Sequence, residues 1–323
     1  MGKYLIRRGY RGLVTVFISV SITFFLLRLI PADPVSMLLD PKMSAETVAK
    51  MTAQFGLDKP LLVQYFVYLG QLFQGNLGIS FKTREAVTTV LMQKLPWTLV
   101  LLFLSITLAL IVGIPVGLKA AKHRNGAFDK FINVITMVGI SIFIPFLSFA
   151  LLYIFGYRLH LLPTGGAYTP PPKEGIAYLY DVLRHALLPT FTLFIGNCTS
   201  IILYTRNSMI DVQKEDYIRT ALAKGWDDKY VTRKHALKNA MIPTITATGI
   251  MIASMVGGAI MTESIYSWPG VGRLIFDSVS TLDYPVLQGA FLILSITTVF
   301  INILTDLVLA WIDPRVKLGG GRA

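Results

Sequence analysis

The sequence predicts an all-α, polytopic membrane protein with six transmembrane helices. Three observations carry that prediction. Hydrophobic residues fill 54% of the 323 positions and charged residues only 15%, against about a quarter charged in an ordinary soluble domain. The apolar residues come in long continuous blocks, not at the spacing of a soluble core. Between the blocks, segments rich in Lys and Arg alternate with segments poor in them, as loops do when sorted to two sides of a bilayer.

A membrane helix needs about 20 mostly apolar residues. Six stretches qualify: 12–30, 97–118, 131–155, 187–205, 242–266 and 285–312. Only helices and closed barrels satisfy their backbone in lipid, and these runs are far longer than the roughly 10 residues of a barrel strand. Lys3, Arg7, Arg8 and Arg11 precede the first run, as in a secretory signal. The chain then continues RLIPADP with no small-residue cleavage site, so the run reads as a retained span.

With the N-terminus inside, segments 1–11, 119–130, 206–241 and 313–323 are cytoplasmic and hold 19 Lys and Arg. The outer segments 31–96, 156–186 and 267–284 hold 10 in many more residues. Both termini are therefore expected in the cytoplasm. The net charge of +12 is mostly topological and argues against a nucleic-acid partner. The chain divides into 1–30 (cytoplasmic N-terminus and first span), 31–94 (extracellular segment), 95–312 (transmembrane core with cytoplasmic loop 206–241) and 313–323 (cytoplasmic tail). Within 31–94, SAETVAKMTAQFGL has helical spacing with Ser44 as a weak cap. LLVQYFVYLGQLFQG is amphipathic and suits the membrane interface.

Some chemistry is excluded. The single cysteine, Cys198, allows no disulfide within the chain and reads as a small buried hydrophobe. His123, His160, His185 and His235 lie at or beyond span ends and form no metal-ligand cluster in the sequence. No G-x-x-x-x-G-K-[ST], H-E-x-x-H or G-x-S-x-G is present, so no phosphate-cradling loop or hydrolase motif of those types. The chain is expected to be no enzyme, to bind no cofactor or metal, and to draw its energy from another subunit or an ion gradient.

Polar residues inside spans are costly. Arg28, near the outer end of the first span, is expected to snorkel to the interface. Asn197, Thr199 and Ser200 in the fourth span are expected either to bond across helices or to face a path. Asp306 fits a cap or a salt bridge. Gly113 and Gly117 fit close helix packing. Glu263 stands near the outer end of the fifth span, before Ser267, Trp268, Pro269 and Gly270. This segment either lines an outer mouth, with Asn197 deeper in the path, or merely anchors two spans.

The polar stretch DYIRTALAKG, between the fourth and fifth spans, reads as a short helix. Tyr217, Ile218, Ala221 and Leu222 share one face. Asp216 near its start and Lys224 near its end suit the helix dipole, and Gly225 fits a C-terminal cap. WDDKYVTRKHALKNAMIP then reads as a second, basic helix leading to Pro243. The loop is either a solvated link or a helix lying flat on the cytoplasmic face, with Thr220, Ala221, Ala223 and Gly225 offered to a partner and Arg219 or Tyr217 as anchors.

DYIRTALAKG followed by HALKNAMIPT resembles the cytoplasmic loop of binding-protein-dependent ABC permeases. Arg219, Thr220 and Ala221 stand where that family has Glu-Ala-Ala, Gly225 follows, and Ala240, Met241, Ile242 and Pro243 stand at the later Ile-x-Leu-Pro element. The Glu is absent and the spacing to Pro243 is longer, as in the peptide branch. YLIRRGYRGLVTVF, GLDKPLLVQYFVYLGQLFQGNLGIS, LPWTLVL, LLPTGG, HALLPTF, ESIYSWPGVGRL, DYP and DPR recur in the same order. The chain thus resembles the first permease subunit of dipeptide, oligopeptide and nickel importers over nearly its whole length.

That resemblance implies a type I importer permease fold in the inner or plasma membrane of a bacterium or archaeon. It implies that Asp216, Tyr217, Arg219, Thr220, Ala221, Ala223, Lys224 and Gly225 form a coupling helix docking on a separate ATPase. The implied partners are a second, similar permease subunit, two ATP-binding subunits using ATP and Mg, an extracellular or periplasmic solute-binding protein, and the bilayer. Peptide is the implied substrate, with a nickel chelate or another small solute as the alternative. From another class, an ion-coupled carrier working alone would need inverted repeats and acidic residues at mid-membrane. Glu263 and Asp306 lie near span ends instead.

Overall fold

A computed structural model describes residues 2–29 and 58–312. The expected helix at 44–57 with its Ser44 cap, and the tail 313–323, lie outside the described residues. Among the described residues the fold is all helical, with one isolated antiparallel bridge between Ile79 and Ala86 and no strand. In chain order the helices are α1 Gly2–Leu29, α2 Leu61–Phe73, α3 Val87–Lys122, α4 Ala127–Ser141 and α5 Ile144–Leu151, which runs on as a π turn over Leu152–Arg158. Then come α6 Gly175–Val212, α7 Asp216–Ala223 and α8 Asp228–Val231. A π turn, Thr232–Ala236, joins α8 to α9 Leu237–Ile265; α10 Val271–Ser280 and α11 Tyr284–Ile312 close the chain.

Four helices, α1, α3, α6 and α11, are each long and apolar enough to cross a membrane. Two bent pairs, Ala127–Ser141 with Ile144–Arg158 and Asp228–Met255 with Ala259–Ile265, bring the number to six if each pair is one crossing. Most helices overrun their expected bounds. α1 begins at Gly2, α3 at Val87, and α6 covers Gly175–Val212. Apolarity marks only the length that meets lipid, whereas backbone hydrogen bonding continues past it into water.

The third expected span, 131–155, is not one straight helix. It breaks at Ile142 and Phe143, both extended, and its halves lie 97° apart. Pro145 explains the break. Deep inside a helix it would remove a hydrogen bond and clash with the preceding turn, while in a first turn its missing N–H costs nothing. The chain therefore restarts α5 with Pro145 in that turn. Pro243, expected to begin the fifth span, instead lies inside α9, and the basic stretch runs into that span as continuous helix.

α3 and α6 form the central pair. A Cβ on Gly113 would lie 2.8 Å from Ile201 Cγ2, and one on Gly117 2.8 Å from the Ile202 carbonyl oxygen. Their bare backbones allow the approach, as small-residue pairs do in membranes. Cys198 is buried in the same core with Leu101, Ile201 and Trp268. α9 packs on α6 and α11, and α1 on α11. Arg8 bonds Asp306 across that edge at 2.7 Å, so Asp306 has the expected salt bridge. Arg28 does not snorkel free. Its Nε donates to Gln64 Oε1 at 2.7 Å, and its guanidinium lies 3.6 Å over the Phe24 ring. It clamps α2 onto α1.

Candidate functional site

The polar stretch folds as read. Asp216 occupies the first turn of α7, and Gly225 follows the end with φ +83°. That left-handed backbone suits glycine. The Gly225 N–H donates to the Leu222 carbonyl at 2.9 Å and the Trp226 N–H to the Ala221 carbonyl at 3.4 Å, the pairing of a Schellman end.

The faces differ from expectation. Only Ile218 and Ala221 are buried, against Ala121, Met209, Ile210, Val231, Ala236 and Ala240. Tyr217 and Leu222, expected on the same face as Ile218 and Ala221, are exposed, as are Asp216, Arg219, Thr220, Ala223, Lys224 and Gly225. Ala221 is therefore not offered to a partner; it seats α7 on its own chain. Asn239 Nδ2 donates to Tyr217 Oη at 2.8 Å, tying α7 to α9 as well. The helix thus rests on the C-terminal ends of α3 and α6 and the start of α9, with an exposed surface of mixed charge.

At the other end, Glu263 is fully buried. Its Oε1 accepts from the Thr98 hydroxyl at 2.8 Å and its Oε2 from the Arg273 N–H at 3.2 Å. Thr98 Oγ1 accepts in turn from the Val271 N–H at 2.8 Å. Side chains from α9 and α3 thus satisfy the open N–H groups at the start of α10, where a carboxylate also meets the positive end of the helix dipole. A Cβ on Gly270 would run into this carboxylate. Trp268 is fully buried, and its Nε1 donates to the Trp97 carbonyl at 3.0 Å. Arg273 Nη1 donates to the Ser267 carbonyl at 2.6 Å. In this conformation Glu263 lines no opening; it braces the loop that carries Ser267, Trp268, Pro269 and Gly270.

Asn197 is elsewhere. It lines a cavity of about 540 Å³ beside the break in the third span, with Ser200, Ser254, Met255 and Phe143. Glu263 does not line it. Asn197 and Ser200 donate to carbonyls of their own helix, at Leu193 and Gly196, and Thr199 to those of Ile195 and Gly196. The expected bonds across helices are replaced by these local ones, which need no partner helix. Among the described residues, no three His, Cys, Asp or Glu stand where they would hold a metal ion.

Three buried acids escaped the sequence reading. Asp129 accepts from Arg206 Nε at 2.5 Å and Nη2 at 2.7 Å, joining the start of α4 to the C-terminal part of α6. Asp283, in DYP, accepts from the Ser80 hydroxyl at 2.5 Å and the Phe81 N–H at 3.1 Å. Asp181 accepts from the Thr169 N–H at 2.6 Å. Asp181 and His185 at i, i+4 gave a faint local signal; the other two acids gave none.

Several long apolar helices around a mostly apolar cavity that holds Asn197, Ser200 and Ser254 are those of a multi-pass membrane protein. Residues 113–318 match the family described as binding-protein-dependent transport system inner membrane component, and residues 1–102 match its N-terminal membrane-component companion. The chain belongs to this family of ABC importer permeases, whose members are permease components and not ATPases. It is 40% identical over 322 residues to a peptide permease protein of Brucella suis biovar 1, covering 98% of this chain and 100% of that one. It is 35% identical over 318 residues to the oligopeptide transport system permease protein AppB of Bacillus subtilis, covering 98% and 100%. Its fold resembles a chain of the MetNI methionine ABC transporter, solved in inward-facing conformations. The TM-score is 0.54 at 16% identity, over 70% of this chain and 97% of that one.

Proposed function

We propose that this chain is one of two membrane-spanning subunits of an ATP-driven importer of short peptides, coupled through α7 to separate ATPases. The carrying observation is the mounting of α7. Ile218 and Ala221 are sunk into one cluster with residues of α3, α6 and α9, so a displacement of α7 moves three spans together. Packed cores respond to such pushes by shifting between discrete arrangements.

In this reading each bent pair is one crossing, giving six spans, with both termini cytoplasmic in an inner or plasma membrane and 31–94 outside. The exposed residues Tyr217, Arg219, Thr220, Ala223 and Lys224 meet the ATPase, which uses ATP and Mg. A second, homologous permease subunit completes the path, and a solute-binding protein delivers substrate. The peptide relatives favour peptide over a nickel chelate. The cavity holding Asn197 belongs to the path, and the Glu263-braced loop forms its outer end.

Co-purification from gently solubilised membranes tests this. The native chain should bring a second permease and Walker-type ATPases. Ala223→Arg, exposed and so harmless to the fold, should lose the ATPases and keep the permease. Retention of the ATPases by Ala223→Arg and Thr220→Arg alike would remove α7 from the interface.

A further inference from the structure

We propose that this chain carries, on its outer side, a binding site for a small carboxylate ligand bearing an apolar or aromatic side chain, as at the C-terminal end of a short peptide. The inference rests on the importer reading for its orientation, and it names a place where substrate touches this subunit. The site is a cavity of about 530 Å³ between the start of α3 and the loop before α6, within the roughly 300–1,000 Å³ of small-molecule pockets.

Its polar groups are Gln93 and Lys94 from α3 and Lys173 from the loop; no acidic residue lines it. Lys173 lies 3.5 Å from Asp181, and Asp181 already accepts from both the N–H and the hydroxyl of Thr169. Lys94 has no hydrogen-bond or ion-pair partner among the described residues, so its positive charge in the cavity is unmatched by any of them. An anion within reach of an unpaired ammonium gains charge-assisted hydrogen bonds.

The rest of the wall is aromatic. Trp97 and Tyr168 lie 6.3 Å apart, and Tyr168 and Tyr178 5.8 Å apart, in one continuous run. These rings pack against the core around Leu101 and Trp268, not as a separate belt facing lipid. Trp97 also meets Trp268 edge-on at 5.6 Å and accepts its indole N–H. The wall is thus held rigid before any ligand arrives, which lowers the cost of binding. An inorganic anion would leave the aromatic wall unused, and an apolar amine would be repelled by Lys94. A carboxylate with an apolar side chain uses both features. Pro269 forms part of the rim, so an occupant touches the loop that Glu263 braces.

The test uses the whole transport complex in nanodiscs, without its binding protein, and equilibrium binding of glycyl-phenylalanine and of its C-terminal amide. The native complex should bind the acid at least about tenfold more tightly than the amide. Lys94→Gln should weaken the acid to the level of the amide, and Trp97→Leu should weaken both. An unchanged melting midpoint for Lys94→Gln shows that the loss is not unfolding. Equal binding of acid and amide to the native complex, or no response to Lys94→Gln, overturns the site. So does loss of dipeptide binding on adding phosphatidylglycerol, which makes the occupant a lipid headgroup. If Lys94→Gln spares the dipeptide but blunts stimulation of hydrolysis by the binding protein, the carboxylate belongs to that protein and the proposal fails. Absence of ATPases from the complex would sink the importer reading alone; the lone chain in nanodiscs still reads the site with the same two probes.

Discussion

Glu263 and Thr98 show what single side chains contribute here. Neither faces a channel, and each satisfies a backbone N–H at the start of α10. Thr98→Val removes one donor and one acceptor from a buried network, so it should cost about 1–3 kcal/mol in detergent unfolding. Glu263→Gln should cost about as much, because its amide meets donors with a donor. The two losses should be non-additive, with a coupling of about 0.5–3 kcal/mol in a double-mutant cycle. Strict additivity would dissolve the brace. Asp129→Ala should cost about 1–3 kcal/mol by removing the carboxylate that Arg206 bonds, and Asp129→Ala with Arg206→Ala should cost less than the sum, measured the same way. These acids were hard to read from sequence for a physical reason. Asp129 bonds a residue 77 positions away, and Asp283 bonds Ser80 across 203. No local pattern encodes such a partner, whereas the end signals of α7 lie within or just beyond the helix itself.

At the scale of elements, α7 was legible in its bounds and not in its faces. Asp216 at its start and Gly225 after its end are local signals, and both operate as read. Which residues are buried depends on how the end of α6 and the start of α9 converge, and the eight residues of α7 do not contain that. The consequence is testable. Ala221→Arg should reduce folded yield, because it drives a charge into a buried cluster. Ala223→Arg should leave the yield unchanged and uncouple hydrolysis. If both variants express and melt like the native chain, the seating of α7 is wrong. Gly225→Ala should cost about 1–2 kcal/mol, since alanine resists a left-handed backbone, with a fall in coupled hydrolysis as the end of α7 frays. The break in the third span was hidden differently. Pro145 was visible, but it sits in an unbroken apolar run, and apolarity alone does not tell a straight span from a folded-back one.

At the scale of the molecule, long apolar blocks and the bias of Lys and Arg were enough to read an all-helical membrane protein. Packing partners were less legible. Large apolar side chains such as Phe103, Ile111, Met137 and Phe146 point outward, where lipid and a second subunit are equally satisfactory cover, so the sequence does not separate the two. On the proposed function, this chain moves solute only as half of an ATP-driven pathway. Reconstitution tests it most directly. Peptide uptake into liposomes is measured with the chain alone under an ion gradient, and with the full complex, binding protein and ATP on the cytoplasmic side. The account predicts uptake only in the second case, lost when ATP is withheld or when Ala223→Arg replaces the native chain. Uptake by the chain alone on the gradient would contradict it, and would make α7 a solvated link between two spans.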